Sequence, residues 1–120
     1  MATLAVESDR LVLHLSSLER LGGLVGGDIS VPLDAIRGVR VAPDPWQELR
    51  GMRAPGTGWP GLIALGHRRG GGGHDFAAVY HHRPAVVVEL DGQRFDRLVV
   101  SCDDPEAVAA ALSENLYAPQ

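Results

Sequence analysis

The second half of the chain carries four short apolar runs separated by turn-forming residues, at positions 62–66, 76–80, 85–90 and 98–101. Successive side chains of a strand point to opposite faces, so runs of this length bounded by Gly, Pro and Asp predict β-strands. Asp91-Gly92 between the last two runs predicts a two-residue type I′ hairpin turn, which would set Val88 opposite Phe95. This half of the chain is therefore expected to form a sheet.

The remaining turns predict how these strands pair. A short loop after Tyr80 would pair that residue with Val86, and a longer hairpin around 68–73 would set Leu65 opposite Phe76. All three turns agree on one buried face, which is the consistency expected of a sequence that specifies a fold. The prediction is a four-strand antiparallel meander. Its inner face would be formed by Ile63, Leu65, Phe76, Ala78, Tyr80, Val86, Val88, Leu90, Phe95, Leu98 and Val100.

The first half predicts three more strands, at 11–15, 28–31 and 36–41. Ser16 predicts a short helical turn that the following glycines end. Asp44-Pro45 predicts the start of a second short helix that Gly51 terminates, because Asp is a good N-cap and Pro fits the first helical position. Residues 52–61, rich in Gly and Pro, predict an ordered loop.

A longer helix is predicted at the end of the chain. Either Asp103 forms a capping box with Glu106, or Asp104 is the cap with Pro105 as the first helical residue. An apolar stripe would pack this helix against the sheet. The stripe consists of Val108, Ala111, Leu112 and Leu116.

Length and composition predict one domain over residues 1–120, since 45% of the residues are hydrophobic and 22% charged. All eleven basic residues are Arg, so Schiff-base chemistry on Lys is excluded. The net charge of −4 argues against nucleic-acid binding and against docking on anionic membranes. The single Cys102, the lack of a signal-peptide pattern and the lack of a long apolar run predict a cytoplasmic protein.

Four segments resemble bacterial pleckstrin-homology-like (PH-like) domains, and more narrowly small actinobacterial proteins of unassigned function: residues 49–58, 75–79, 83–90 and 95–101. The resemblance implies a mainly β (α+β) fold, a seven-stranded antiparallel, partly open barrel capped by one C-terminal α-helix. Lipid-binding relatives carry Lys and Arg between the first two strands. Here residues 16–28 contain only Arg20 as a base beside Glu19 and Asp28, so phosphoinositide binding is disfavoured.

The first candidate site is an anion-binding loop. Arg50 and Arg53 flank a glycine in a Gly-rich stretch, so two guanidinium groups and backbone N–H groups could converge on an anion, with Trp59 as an apolar wall. Arg68 and Arg69 of the next hairpin would extend the site. The alternative is a rigid connector, in which Arg50 neutralises a helix C-terminus, Arg53 pairs with an acid and Trp59 is core.

The second candidate site is a divalent metal held by His67 and His74, which the predicted register sets opposite each other. Two imidazoles across a hairpin can ligate Zn²⁺ or Cu²⁺. The third ligand would come from Asp75, His81 or His82. The alternative is an ordinary pair of loop histidines, with no cofactor bound. His81 and His82 are most simply part of a solvated turn, and His14 is expected to face solvent.

No catalytic constellation emerges. The serines and threonines form no Gly-x-Ser-x-Gly elbow, and Cys102 is most simply a small core residue. We therefore expect a non-enzymatic binding or assembly module that recognises a protein partner or self-associates as a homo-oligomer. The alternative from the same residues is a small-molecule site for an anionic ligand, or a metal site, where the Arg50–Gly61 loop meets the His67–His74 hairpin.

Overall fold

The computed structural model describes residues 3–16, 27–48, 52–59, 63–70, 73–81 and 83–117, and side chains at 3–16, 27–46, 65–67, 73–81 and 83–113. This part of the chain contains nine strands and one α-helix. The strands are β1 (Thr3–Glu7), β2 (Arg10–His14), β3 (Ile29–Pro32), β4 (Ile36–Ala42), β5 (Met52–Trp59), β6 (Ile63–Gly70), β7 (Gly73–Tyr80), β8 (Ala85–Leu90) and β9 (Arg97–Ser101). The helix is α1 (Pro105–Tyr117), and 3-10 turns span Leu33–Ala35 and Pro45–Glu48.

The mainly β architecture with a C-terminal helix is confirmed, but the predicted seven-stranded barrel is wrong in strand number and in arrangement. The described strands form two sheets, of order β1-β2-β3 and β4-β8-β9-β7-β6-β5, and no pairing among them closes a barrel. The antiparallel meander is also wrong. The last strand, β9, inserts between β7 and β8, pairing parallel with β7 and antiparallel with β8.

The Asp91-Gly92 hairpin is wrong for the same reason. Val88 lies opposite Leu98 rather than Phe95, and residues 91–96 form a longer connection. Gly92 still takes a positive φ of 68°, so the glycine serves a turn, though not the two-residue turn expected. The connection closes with a hydrogen bond from the Leu90 N–H to the Asp96 carbonyl, at 2.8 Å.

The predicted inner face is the centre of the core even though the pairing differs. Nine of its members belong to one buried cluster: Leu65, Phe76, Ala78, Val86, Val88, Leu90, Phe95, Leu98 and Val100. The three-stranded sheet contributes Leu4, Leu11, Leu13 and Val31 to the same cluster. Tyr80 is half-buried outside the cluster, and the side chain of Ile63 lies outside the described residues. The prediction of which side chains face the core is correct because it depends only on the alternation of side chains along each strand. That alternation is the same whichever strand is the neighbour.

The opposite face of the six-stranded sheet is buried as well, which the sequence reading did not anticipate. A second cluster consists of Ala42, Ala77, Val79, Ala85, Val87 and Val99, with Trp46 packed against it. The indole N–H of Trp46 donates to the His81 carbonyl, which fixes the 3-10 turn over this face. The near-continuous apolar runs of β8 and β9 fit strands buried on both sides.

Two strands were missed. β1 was not predicted, and β5 occupies the segment that was predicted to be a loop. β5 is an edge strand, and its register shifts between Arg53 and Gly56, where Pro55 lies. Proline cannot donate to a ladder and is tolerated in strands mainly at edges and bulges. The Gly and Pro content that indicated a loop is therefore compatible with this irregular edge.

The final helix begins as the second capping alternative predicted. The Asp104 carboxylate accepts a hydrogen bond from the Ala107 N–H at 3.2 Å, with Pro105 in the first turn. Leu112 is buried and Val108 half-buried against the core, but Ala111 is exposed, so that part of the predicted stripe is wrong. The helix contacts β4 and β8.

The shorter predicted helices have different outcomes. The segment after Asp44 forms a 3-10 turn, and the Asp44 carboxylate accepts from the Trp46 N–H at 3.3 Å. The predicted helical turn after Ser16 and the Gly51 terminus lie outside the described residues. Within the described part of the chain, no helix has the length and apolar character needed to span a membrane.

Candidate functional site

The structure brings His67 and His74 together, although not in the register expected. His67 pairs with Phe76, and His74 pairs with Arg69, so the strands are shifted by two residues from the prediction. A shift of two preserves the face, and diagonal neighbours on one face still approach each other. The rings stack at 5.0 Å between centroids, and His67 Nδ1 lies 2.9 Å from His74 Nε2 in a hydrogen bond.

The histidine pair belongs to an aromatic cluster inside the protein. The ring of Phe95 lies 5.4 Å from that of His67 and 4.9 Å from that of His74, and Phe76 meets His67 edge-on at 6.0 Å. His67 is only 7% exposed. The prediction of ordinary exposed loop histidines is therefore wrong for His67. Its imidazole packs as an apolar ring whose Nδ1 has a hydrogen-bond partner.

The metal hypothesis gains two nitrogen ligands. Tetrahedral Zn²⁺ with Zn–N bonds near 2.1 Å would hold the nitrogens about 3.4 Å apart, whereas a square-planar ion with similar bonds would hold them about 3.0 Å apart. The observed 2.9 Å is the length of the hydrogen bond between the two imidazoles, so it favours neither metal geometry. Among the described residues, however, no three His, Cys, Asp or Glu side chains form a group that could hold a metal ion.

The expected third ligands have different outcomes. Asp75 follows His74 directly and pairs with Arg97, so it belongs to the opposite face of the sheet. His81 is an exposed residue at the far end of β7, with a positive φ of 53°. His82 lies outside the described residues.

The arginines of the anion-binding hypothesis lie on neighbouring strands. Arg53 pairs with Arg68, and Met52 pairs with Arg69, so the start of β5 lies beside the end of β6. Paired Cα atoms are about 5 Å apart, which places the backbone of Arg53 close to that of His67. Arg50 and the side chains of the other three arginines lie outside the described residues.

Trp59 is not beside these arginines. It pairs with Ile63 at the other end of the β5–β6 hairpin. Trp59 lies six positions along the strand from Arg53, a distance of about 20 Å. The prediction that Trp59 forms the apolar wall of an anion site around Arg53 is therefore not supported by the register.

A row of charged residues crosses the six-stranded sheet at the same end. Glu89 pairs with Arg97, Arg97 with Asp75, Asp75 with Arg68, and Arg68 with Arg53. The Arg97 guanidinium donates to Asp75 through Nε at 3.2 Å and through a terminal nitrogen at 3.0 Å. The two side chains are only 13% and 2% exposed. This ion pair was not predicted from the sequence, because the parallel β7–β9 pairing creates it.

The connection between β8 and β9 is fixed to the histidine pair. The Asp96 carboxylate accepts from the His74 N–H, and the Asp96 N–H donates to the His74 carbonyl, both at 2.7 Å. The Asp91 N–H donates to the Ala35 carbonyl at 2.9 Å. These bonds hold Phe95 against the imidazoles. They also hold Arg94, whose guanidinium carbon lies 5.1 Å above the Phe95 ring.

A further polar cluster, missed from the sequence, surrounds His14 at the end of the three-stranded sheet. One ring nitrogen of His14 contacts the Glu7 carboxylate, and Nδ1 lies 2.9 Å from Asp28, whose other oxygen accepts from the Leu15 N–H. Hydrogen bonds first to Glu7 and then to Asp28 raise the pKa of His14 above its usual value. The two carboxylates lie on opposite sides of the ring, so they stabilise the imidazolium rather than form a metal site. The expectation that His14 faces solvent holds in part, since its side chain is 43% exposed.

Cys102 is a buried thiol, as predicted, and hydrogen-bonds to the Val100 carbonyl at 3.4 Å. Burial raises the pKa of this thiol, which disfavours the reactive thiolate. A nucleophilic role for Cys102 thus receives no support from its surroundings.

Comparison of the chain with protein-family models, with curated proteins and with solved structures gave no match.

Proposed function

We propose that this chain is a non-enzymatic binding and assembly module that presents sheet edges to a partner chain or to a second copy of itself. The observation that carries the proposal is the order of the two sheets. Among the described strands, β1 and β3 form the edges of one sheet, and β4 and β5 form the edges of the other. An edge strand presents backbone N–H and C=O groups to which another strand can pair.

The partners of the polar side chains support a binding role over catalysis. Asp75 with Arg97, and His14 with its two carboxylates, hold neighbouring strands or segments together. Arg83 pairs with Asp103 and so joins the β7–β8 connection to the start of the helix. Each of these groups therefore has a structural role.

β4 is the edge best suited to self-assembly. Its residues from Gly38 to Ala42 pair continuously with β8, so this stretch is regular, whereas the register of β5 is interrupted around Pro55. A regular edge can extend a sheet across a two-fold axis, which is the commonest symmetry of homo-oligomers.

Sedimentation velocity over a wide concentration range tests the assembly half of the proposal. We expect reversible dimer formation together with slower hydrogen exchange of β4 amides at high concentration. A strict monomer at every accessible concentration would refute self-assembly. Dimerisation without a change in the hydrogen exchange of β4 amides would show that the dimer contact lies at another edge.

A second candidate function is binding of a small anionic ligand at the arginine end of β5 and β6. The observation that favours it is the register, which pairs Arg53 with Arg68 one residue from His67. Titration with inorganic phosphate or pyrophosphate, followed by calorimetry, tests it. Arg53→Gln with Arg68→Gln should abolish binding, whereas the matched control, Arg37→Gln with Arg40→Gln on β4, should not. Equal effects of the two double variants would exclude the site.

The relation to PH-like proteins stays a proposal from the sequence. A β-rich core followed by one C-terminal helix supports it. The parallel β7–β9 pair departs from the antiparallel order that the resemblance implied. The same resemblance is the basis for proposing a bacterial protein. The proposal of a cytoplasmic location rests instead on the single Cys102 and on the lack of a signal-peptide pattern and of a long apolar run.

A further inference from the structure

The Glu89 side chain of β8 extends toward a gap on the neighbouring edge strand, β4. Gly38 pairs with Glu89, so the two residues belong to one face of the sheet. A Cβ atom at Gly38 would lie 3.8 Å from Glu89 Oε2 and, apart from its chain neighbours, would meet no other atom of the described residues within 4 Å. The carboxylate therefore lies beside the space that a side chain at position 38 would fill.

Arg40 lies on the same face and contacts this carboxylate from one side. Its Nε lies 3.7 Å from Glu89 Oε1, and the two side chains are 44% and 48% exposed. Within the described part of the chain, Glu89 has no other ion pair and no hydrogen bond. An ionised carboxylate can accept about four hydrogen bonds, so Glu89 can bind a second guanidinium.

The open side of β4 is accessible. β4 has β8 as its neighbour among the described strands and none on its other side. Val39 and Val41 are half-buried, and the Arg37 side chain is 61% exposed. Helix α1 contributes Leu112 to the core cluster against which Val39 packs, so the helix covers the core face of β4 rather than its edge.

A second copy of β4 can pair with this edge across a two-fold axis, beside which one residue faces itself. An axis beside Val39 sets Gly38 opposite Arg40 of the second copy, and Arg40 opposite the second copy's Gly38. Directly opposite residues share a face, with Cβ atoms about 5 Å apart. The second guanidinium would therefore enter the space over Gly38 and meet the Glu89 carboxylate.

The other axes along β4 are less favourable. An axis beside Arg40 would set two arginines directly opposite each other, which is repulsive. An axis beside Val41 would set Val39 opposite Pro43, which lies beyond the end of the strand and has no N–H. An axis beside Gly38 would place the register shift that precedes this residue inside the new ladder. The register centred on Val39 avoids all three conflicts.

We propose that two copies of this chain pair antiparallel through β4, with Val39 facing itself and with Arg40 of each copy bound to Glu89 of the other. The inference rests on the proposed assembly function and adds the register of the contact and the residues that determine it. Gly38 has the role of leaving room for the incoming arginine.

Charge reversal in mixed samples tests the proposal. Arg40→Glu gives a chain with two acids at positions 40 and 89, and Glu89→Arg gives a chain with two arginines there. Neither variant can form the ion pairs with its own copy, whereas a dimer of one chain of each kind forms both. The mixture thus separates contacts between chains from the contact within one chain, which is repulsive in both variants.

The matched control is Arg83→Glu, because Arg83 is also exposed and pairs with an acid, Asp103. A further variant, Gly38→Val, fills the gap itself. Its Cβ would meet only the Glu89 carboxylate, at an ordinary contact distance, so the fold should tolerate it. Circular dichroism verifies that every variant is folded.

Sedimentation velocity measures the dimer dissociation constant of each sample. We expect Arg40→Glu and Glu89→Arg each to weaken dimerisation at least about tenfold, because two attractive pairs become two repulsive ones. Gly38→Val should weaken it as well. The equimolar mixture of the two charge variants, and Arg83→Glu alone, should dimerise within about threefold of wild type.

Three results would each overturn the inference. The first is a mixture that dimerises as weakly as the single charge variants. The second is an equal loss in Arg83→Glu, which would indicate a general effect of charge. The third is a Gly38→Val variant that dimerises like wild type.

The outcome is separable from that of the assembly proposal. A wild-type dimer that neither charge reversal weakens keeps self-assembly and removes only this register. A wild-type chain that stays strictly monomeric removes both.

Discussion

Removing the buried carboxylate of Asp75 should destabilise the protein far more than removing an exposed one. The Asp75 side chain is 2% exposed and that of Arg97 13%, so Asp75→Ala leaves a guanidinium largely shielded from water. Breaking a buried pair in this way costs about 3–5 kcal/mol. The whole domain is expected to be stable by only about 5–15 kcal/mol. The matched control is Asp91→Ala, because Asp91 and its partner Arg37 are 65% and 61% exposed and such a pair contributes about 0–1 kcal/mol.

Urea unfolding followed by the fluorescence of Trp46 and Trp59 measures both changes. At about 4 °C per kcal/mol for a domain of this size, Asp75→Ala should also lower Tm by about 10–20 °C, against a few degrees at most for Asp91→Ala. Replacing both partners, Asp75→Leu with Arg97→Met, should cost less than the single change, because no charge is then left unpaired.

Equal, small effects of Asp75→Ala and Asp91→Ala would refute the reasoning. That result would mean that Arg97 finds solvent or another carboxylate once its partner is gone. Glu89 is the nearest alternative, since it pairs with Arg97 across β8 and β9. In that case the combined Asp75→Ala and Glu89→Gln variant should show the large loss of unfolding free energy that Asp75→Ala alone does not.

Four further expectations can be checked separately. Because the pKa of His14 is raised, the stabilisation that this residue gives the folded protein is complete below the ordinary pKa of 6.5 and is lost as pH rises through the raised pKa. The urea midpoints of wild type and His14→Gln should therefore converge with rising pH. An NMR titration that gives a His14 pKa at or below 6.5 would contradict this. Asp104→Ala should lower the free energy of unfolding by about 1 kcal/mol through loss of the helix cap, whereas Asp104→Asn should retain most of it; equal losses in denaturant titrations would argue against capping. Cys102 should react slowly with an aromatic disulfide reagent in the native state and rapidly in urea, and fast native labelling would contradict its burial. If His67 and His74 bind a metal, tag-free protein dialysed against Cu²⁺ should retain one equivalent of the ion, and the His74→Gln variant should retain none. Retention of Cu²⁺ by the variant would show that the ion binds elsewhere.

The sequence predicted which side chains face the core more accurately than which strands pair. Phe76, Val88 and Leu98 lie in the core as expected, because alternation depends only on the strand itself. The strand predicted to lie beside β8 in register with Val88 was wrong, because Asp91-Gly92 was assigned to a tight hairpin turn. A longer connection at the same place allows β9 to enter beside β7. Two parallel strands such as β7 and β9 are not joined by a tight turn, so the sequence between them contains no turn motif that predicts their pairing.

The candidate site was predicted in part for a similar reason. His67 and His74 were identified from their positions in one hairpin, and a register error of two residues preserved their contact. The Asp75–Arg97 pair and the cavity between residues 27–31 and 93–95 depend on which distant segments meet, and spacing along the chain does not encode that. For β3 and the 91–96 connection, some sixty residues intervene.

The central place of β9 has a consequence for the growing polypeptide on the ribosome. Until residues 97–101 emerge, the strands of this sheet that are already synthesised can form only two separate smaller sheets, β4 with β8 and β5 to β7. Each of these has an unpaired strand edge at the position that β9 later fills. Unpaired strand edges promote aggregation and misassembly. Truncation before Arg97 should therefore give insoluble material rather than a smaller folded unit, and synthesis of the whole chain should precede formation of the six-stranded sheet.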